Sequence, residues 1–155
     1  MTTDAVGGRT LAVHLIAQVL LERADGRILL ARRSGVSYGN GQWGPPGGHT
    51  DPGESLAAAA VREAREEIGV EIAAEDLAVV GVQHYLDAGV HGLDVFFRAR
   101  RWTGEPQPVA ECSEVGWFAP DDLPPDALAW LGPVLHTHLV DGQPFAEAGF
   151  AQPAG

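Results

Sequence analysis

The sequence predicts an α/β fold in which a mixed β-sheet lies between helices. Three observations lead there. Hydrophobic residues alternate over residues 11–22, one long amphipathic helix spans residues 55–68, and two more strand-like runs precede a last helical segment.

The elements follow in order. Leu11, Val13, Leu15, Ala17, Val19 and Leu21 share one face of the first strand, and Ile16 and Leu20 occupy the other, so both faces are expected to be buried. Ala24-Asp25-Gly26 is a turn, and residues 27–32 read as the hairpin partner. Residues 34–48, rich in glycine and proline, are expected to form a structured loop. Asp51-Pro52-Gly53 turns the chain into the helix, and Gly69 stands at its stop position. Strands are expected over 77–86 and 93–102, joined by a turn at 87–92, with a short strand at 115–118. Residues 125–141 read as a helix interrupted at Gly132-Pro133, because proline removes a helix hydrogen bond. Residues 1–10 are expected to be flexible, 11–141 to form a single domain, and 142–155 to be a frayed tail that Phe145 and Phe150 could anchor.

Composition narrows the function classes. The formal net charge of −11 repels a polyanionic duplex, so nucleic acid as a polymer is an unfavourable partner. A small anionic substrate stays open if metal ions bridge it to the protein. All ten cationic side chains are arginine, so any fixed phosphate clamp must be arginine. The single cysteine, Cys112, cannot form an internal disulfide, and the longest apolar stretch, residues 11–21, is too short to cross a bilayer. A cytoplasmic protein without a membrane partner is therefore expected.

The chemistry is concentrated between Gly47 and Val70. Gly48 is followed after five residues by Glu54, and after seven more by Arg62-Glu63-Ala64-Arg65-Glu66-Glu67-Ile68-Gly69-Val70. On a helix, Glu63, Glu66 and Glu67 share an arc of about 100°. Leu56, Ala57, Ala60, Val61, Ala64 and Ile68 form the adjoining apolar arc, with Glu67 at its edge. Clustered carboxylates repel one another, and a hard divalent cation with oxygen ligands offsets that cost. Taken alone, the helix fits equally well an ordinary solvated face with Arg62 and Glu66 as an i,i+4 pair. The preceding glycines and Glu54 at fixed spacing weigh against that simpler explanation.

This pattern resembles the Nudix box and matches its fixed positions, with Ala64 a small choice where a larger aliphatic is usual. Arg33, Gly41-Gln42-Trp43 and Pro46-Gly47-Gly48 resemble the family's entry into the box. Pro45 departs from it, and local distortion of the chain is expected there. Glu111 and Glu114, ahead of Trp117-Phe118, resemble the family's late acidic segment. The resemblance implies a Nudix-type α/β/α sandwich and a hydrolase that uses Mg²⁺, or Mn²⁺, to cleave a diphosphate linkage. It implies that Glu66 and Glu67 are the main metal ligands, helped by Glu63 and the Gly47 carbonyl. Arg62 would orient the glutamates, and Glu54 would support the loop–helix geometry. Glu111 is the candidate for an extra ligand or the general base, and it fits equally a solvated loop carboxylate. Arg33, the uncovered backbone at Gly48, and Tyr85 are candidate substrate contacts.

The substrate class is less sharply drawn. Residues 41–54 and the segment before Trp117 resemble the MutT-type branch, which implies conversion of a (deoxy)nucleoside triphosphate to monophosphate and pyrophosphate. ADP-ribose, a dinucleoside polyphosphate weakly suggested by Tyr85, and a non-catalytic nucleotide sensor are the alternatives. A homodimer is expected from Phe145 and Phe150 among small residues of the tail.

Overall fold

The computed structural model describes residues 8–151. Most of the segment expected to be flexible, residues 1–7, and the last four residues of the tail lie outside the described residues. Among the described residues eight strands and two α-helices follow one another: β1 Val13–Leu21, β2 Ile28–Arg33, β3 Trp43–Gly44, β4 Gly47–His49, α1 Leu56–Ile68, β5 Leu77–Asp87, β6 Val90–Ala99, β7 Cys112–Phe118, α2 Leu131–Leu135 and β8 Phe145–Ala148.

The strands form two sheets rather than one. The larger is mixed, in the order β4-β1-β6-β5-β8, and the smaller runs β3-β2-β7. β1 is parallel to β6 from Val13↔His91 to Leu21↔Ala99. The expected β1–β2 hairpin is therefore replaced by a turn, closed by the Arg23 N–H donating to the Arg27 carbonyl at 2.9 Å. β2 leaves that turn and pairs with β3 and β7 instead.

The residues expected to form a loop, 34–48, contain two short strands. β3 belongs to the smaller sheet and β4 to the larger, and Pro45-Pro46 is the crossing point. Proline cannot donate to a ladder, so a strand stops there. The Pro46 carbonyl still accepts from Val19 N–H at 2.8 Å, tying the crossing to β1. The distortion expected at Pro45 is this change of sheet.

α1 covers one face of the larger sheet. Ala59, Ala60, Ala64 and Ile68 pack with Ala17, Val19, Leu21, Val95 and Phe97. The small alanine side chains bring the helix close to the strands. Ser55 Oγ caps its start by accepting from Ala58 N–H at 3.1 Å. Gly69, with φ 71, ends it in the left-handed conformation that glycine adopts without a Cβ clash. On the opposite face Leu20 and Phe96 pack with Ile28, Leu30, Leu131, Val134 and Leu135. Both faces of β1 are buried from Ala17 to Leu21, as its pattern predicted.

Two expectations about the C-terminal region are corrected. Gly132-Pro133 does not interrupt a helix spanning 125–141; it lies in the first turn of α2, where an N–H is not needed for helix bonding. A π-helical turn, His136–Val140, continues α2 and buries His138 against the sheet. A Cβ at Gly81 would overlap the His138 ring, so that strand position needs glycine. The described part of the tail is not frayed either. β8 adds to the larger sheet parallel to β5, Val82↔Phe145 to Tyr85↔Ala148. Phe150 packs on the His84 ring with centroids 4.7 Å apart, whereas Phe145 stays exposed.

Leu20 is completely buried between the larger sheet and α2. Leu20→Ala should therefore lower the unfolding free energy by about 2–5 kcal/mol. The midpoint of urea unfolding should fall with an unchanged m-value.

Candidate active site

The site forms where β4 is laid between β1 and α1. Gly47 pairs with Gln18 and Gly48 with Ala17. At Gly47, φ is 153, and a Cβ would strike the Ala17 carbonyl. At Gly48, a Cβ would lie 2.7 Å from Glu63 Oε1. Gly47 is thus required by the close approach of β1, and Gly48 by Glu63 of α1. Gly47 N–H donates to Glu67 Oε2 at 2.9 Å.

Glu63 and Glu67 are buried, and they lie one helical turn apart. Burial pushes both carboxyls above the usual range. For Glu67 the negative charges of Glu63 and Glu111 push the same way, while the Gly47 N–H partly opposes them.

Arg62 is the cation of this corner. Its guanidinium donates to both oxygens of Glu54, at 2.8 and 2.9 Å, to Glu63 Oε1 at 3.0 Å, to Glu66 Oε2 at 3.2 Å and to the His49 carbonyl at 3.2 Å. The fork to Glu54 closes the loop before α1 onto the helix, as the sequence reading expected of Glu54. These hydrogen bonds from Arg62 hold the Glu54 carboxyl down at about 2.

Glu111 reaches the site from far along the chain. The Glu67 carbonyl accepts from Val109 N–H at 2.9 Å, Ala110 N–H at 3.3 Å and Cys112 Sγ at 3.4 Å. That triple attachment holds the loop before β7 against the end of α1. Glu111 itself has φ 60, a left-handed conformation uncommon for a residue with a Cβ. Cys112 is half-buried with its thiol raised, chiefly by burial, which suits packing rather than nucleophilic chemistry.

Glu63, Glu67, Glu111, Arg33, Gly47 and Gly48 thus come together around a cavity of about 340 Å³. Glu66 does not line it; its side chain is 55% exposed and tied to Arg62. Arg33 Nε donates to the Tyr38 carbonyl at 2.8 Å, which fixes its guanidinium at the cavity mouth. Tyr85 lies apart from the carboxylates, in a larger adjoining cavity of about 850 Å³ that shares Arg33, Gly47, Gly48 and Glu111 with the first.

Among the described residues no three His, Cys, Asp or Glu side chains form a ready-made metal cage. The donor chemistry nevertheless fits a hard divalent cation. Glu67 is a buried carboxylate facing two others, its donors are oxygen, and Arg62 neutralises Glu63 without reaching Glu67.

A NUDIX domain model matches residues 13–138. The chain belongs to the Nudix family. It is 30% identical over 138 residues to a MutT-like protein of Streptomyces ambofaciens, covering 82% of this chain and 83% of that protein. It is 34% identical over 136 residues to the NAD-capped RNA hydrolase NudC of Pseudomonas aeruginosa, covering 87% of this chain and 45% of that protein. The chain thus spans less than half the length of the NudC relative. Among solved structures, a MutT Nudix hydrolase from Burkholderia pseudomallei superposes with a TM-score of 0.73 at 31% identity, over 83% of this chain and 98% of that one.

Within this Nudix domain the structure adds polar residues that the sequence reading passed over. Gln18, Gln83 and Asp94 are buried and line the larger cavity. Each sits in a strand otherwise rich in apolar residues, and a lone acid within such a run was the available signal. Tyr38 and Trp130 line it too, joined by the Trp130 Nε1–H donating to Tyr38 Oη at 3.0 Å. Trp43 and the stacked pair Trp102–Trp117 serve packing.

The raised and lowered carboxyls act in separate pH windows. In metal-free buffer the folded state holds protons on Glu63 and Glu67 more tightly than the unfolded chain does. Stability from this pair should therefore fall as pH rises above the ordinary value of 4.5. Glu54 works oppositely: its contribution is complete above 4.5 and is lost as pH falls toward about 2. Glu67→Gln should melt higher than wild type at pH 8 in chelator and decline less between pH 5 and pH 9. A melting curve at several pH values checks both.

Proposed function

We propose that this chain hydrolyses a (deoxy)nucleoside triphosphate to the monophosphate and pyrophosphate. The observation that carries the reading is the continuity of the two cavities. A carboxylate-lined chamber beside Gly47-Gly48 opens into a larger chamber walled by Tyr38, Tyr85 and Trp130, so triphosphate and nucleoside can be held together.

A divalent cation, Mg²⁺ or Mn²⁺, bound at Glu67, Glu63 and the Gly47 carbonyl with Glu66 or Glu111 beside them, would neutralise phosphate oxygens and acidify water. The protein supplies the rest. Arg62 locks Glu54 and Glu63 in place, and Arg33 meets a phosphate oxygen at the chamber mouth. Water forms a new bond to phosphorus as the bridging bond to the departing pyrophosphate breaks. Glu111, exposed and lining both chambers, takes the proton of that water and can release it to solvent. Similarity to NudC favours a second reading, a dinucleotide with an internal diphosphate. The net charge of −11 weighs against a long RNA attached to it.

Nucleoside triphosphates incubated with the protein and Mg²⁺ should give monophosphate and pyrophosphate, and excess chelator should abolish turnover. Inorganic phosphate as the primary product would overturn the reading. Glu67→Gln should lower kcat at least about a hundredfold, close to 2.7 kcal/mol, while the protein stays folded. Near-normal turnover in that variant would displace Glu67 from the centre of the site.

A further inference from the structure

The floor of the larger cavity holds a carboxylate that the diphosphate chemistry does not use. Asp94 lies in the middle of β6, paired on one side with Ile16 of β1 and on the other with Gln83 of β5. It is 4% exposed. Among the described residues its Oδ1 has no hydrogen-bond partner. A buried carboxyl oxygen left without a partner in the centre of a sheet is costly to fold around, so a purely structural role is a poor explanation.

The surroundings show what the group is suited to meet. Side chains two apart on a strand share a face. Gln18, Gln83 and Asp94 therefore converge on the cavity side of the sheet, opposite α1. Gln18 and Gln83 are themselves buried, at 9% and 8% exposed. Tyr85 stands beside them, and its ring lies where a Cβ on Gly92 would be, which presses it flat over β6. Tyr38 and Trp130 complete aromatic walls. Flat apolar surfaces with a few in-plane hydrogen-bonding groups fit a planar heterocycle, and an acidic acceptor at the bottom fits an N–H on its edge.

We propose that Asp94 is a specificity-determining residue that accepts a hydrogen bond from the exocyclic amino group of a nucleobase. The inference rests on the reading of this cavity as the nucleoside chamber. An acceptor with no partner gains a bond from an amino group and meets repulsion from a carbonyl oxygen in the same place. Bases that carry the amino group are thereby favoured over their oxo or unsubstituted counterparts. Burial pushes the Asp94 carboxyl up to about 7, and the Gln18 side chain opposes that shift.

The test compares substrates that differ at one group. kcat/KM is measured for CTP against UTP, ATP against ITP, and GTP against ITP. For at least one pair the amino-bearing member should be favoured tenfold or more, and Asp94→Ala should bring that ratio close to one. Asp94→Asn keeps an acceptor oxygen and should retain most of the preference. Melting temperatures verify that each variant is folded. Calorimetric binding of CMP against UMP, and of GMP and AMP against IMP, reads the same discrimination without turnover. If no triphosphate is cleaved but the amino-bearing monophosphate binds tighter in wild type and not in Asp94→Ala, the catalytic reading fails and this one stands. Cleavage of triphosphates with equal kcat/KM within every pair overturns the role of Asp94 and leaves the catalytic reading intact. A preference that survives in folded Asp94→Ala overturns it equally.

Discussion

Glu67 is buried against a backbone N–H, and among the described residues no arginine pairs with it; much of the molecule is arranged around that carboxyl. Gly47 donates to its carboxylate at 2.9 Å. For this contact β4 must lie close between β1 and α1; Ala17 of β1 requires glycine at 47, Glu63 requires it at 48, and alanines of the helix pack on the sheet. The proline pair that ends β3 delivers β4 to this position. The carbonyl of the same residue gathers the loop that carries Glu111. One residue thus organises the site through its side chain on one side and its backbone on the other.

Arg62 divides the acidic cluster into two electrostatic classes. Glu54 shares a fork with it and stays ionised far into acid, whereas Glu67, among the described residues, makes no ion pair with it and is pushed up by burial. A site evenly neutralised by arginines would be more stable and would attract a cation less. The cost is carried by the fold, since an unneutralised buried carboxylate is among the more expensive groups to fold around. Apolar packing on both faces of β1 and β6 supplies the offset.

The parts legible in the sequence were those governed by local rules. The period of residues 11–22 revealed a strand buried on both faces, and helical spacing put Glu63, Glu66 and Glu67 on one arc, of which Glu63 and Glu67 line the cavity while Glu66 turns outward. Partner choice was not local. Nothing in residues 27–32 says that β2 joins a second sheet, since an antiparallel turn has the same sequence in either case. Gly132-Pro133 suggested a break because proline was weighed as a helix interior residue; its position in the first turn depends on where the helix begins. The tail was misjudged for a related reason, because Phe145–Ala148 becomes a strand only against the exposed edge of β5. Asp94 was passed over because an acid in an apolar run carries meaning only when the neighbouring strands are known.

The parallel pairing of β1 with β6 has a consequence for biosynthesis. Val13 and His91 are neighbours in the sheet but stand 78 positions apart in the chain. At a synthesis rate of about 5–20 residues per second, β1 leaves the ribosome roughly 4–16 s before its partner. Through that interval β2, β4 and all of α1 are already made and can cover the faces of Ala17–Leu21, but the strand edge that β6 will pair stays open. The nascent chain is therefore most exposed to mispairing and chaperone capture at its first strand. Slowed elongation anywhere between β4 and β6 would lengthen that exposure.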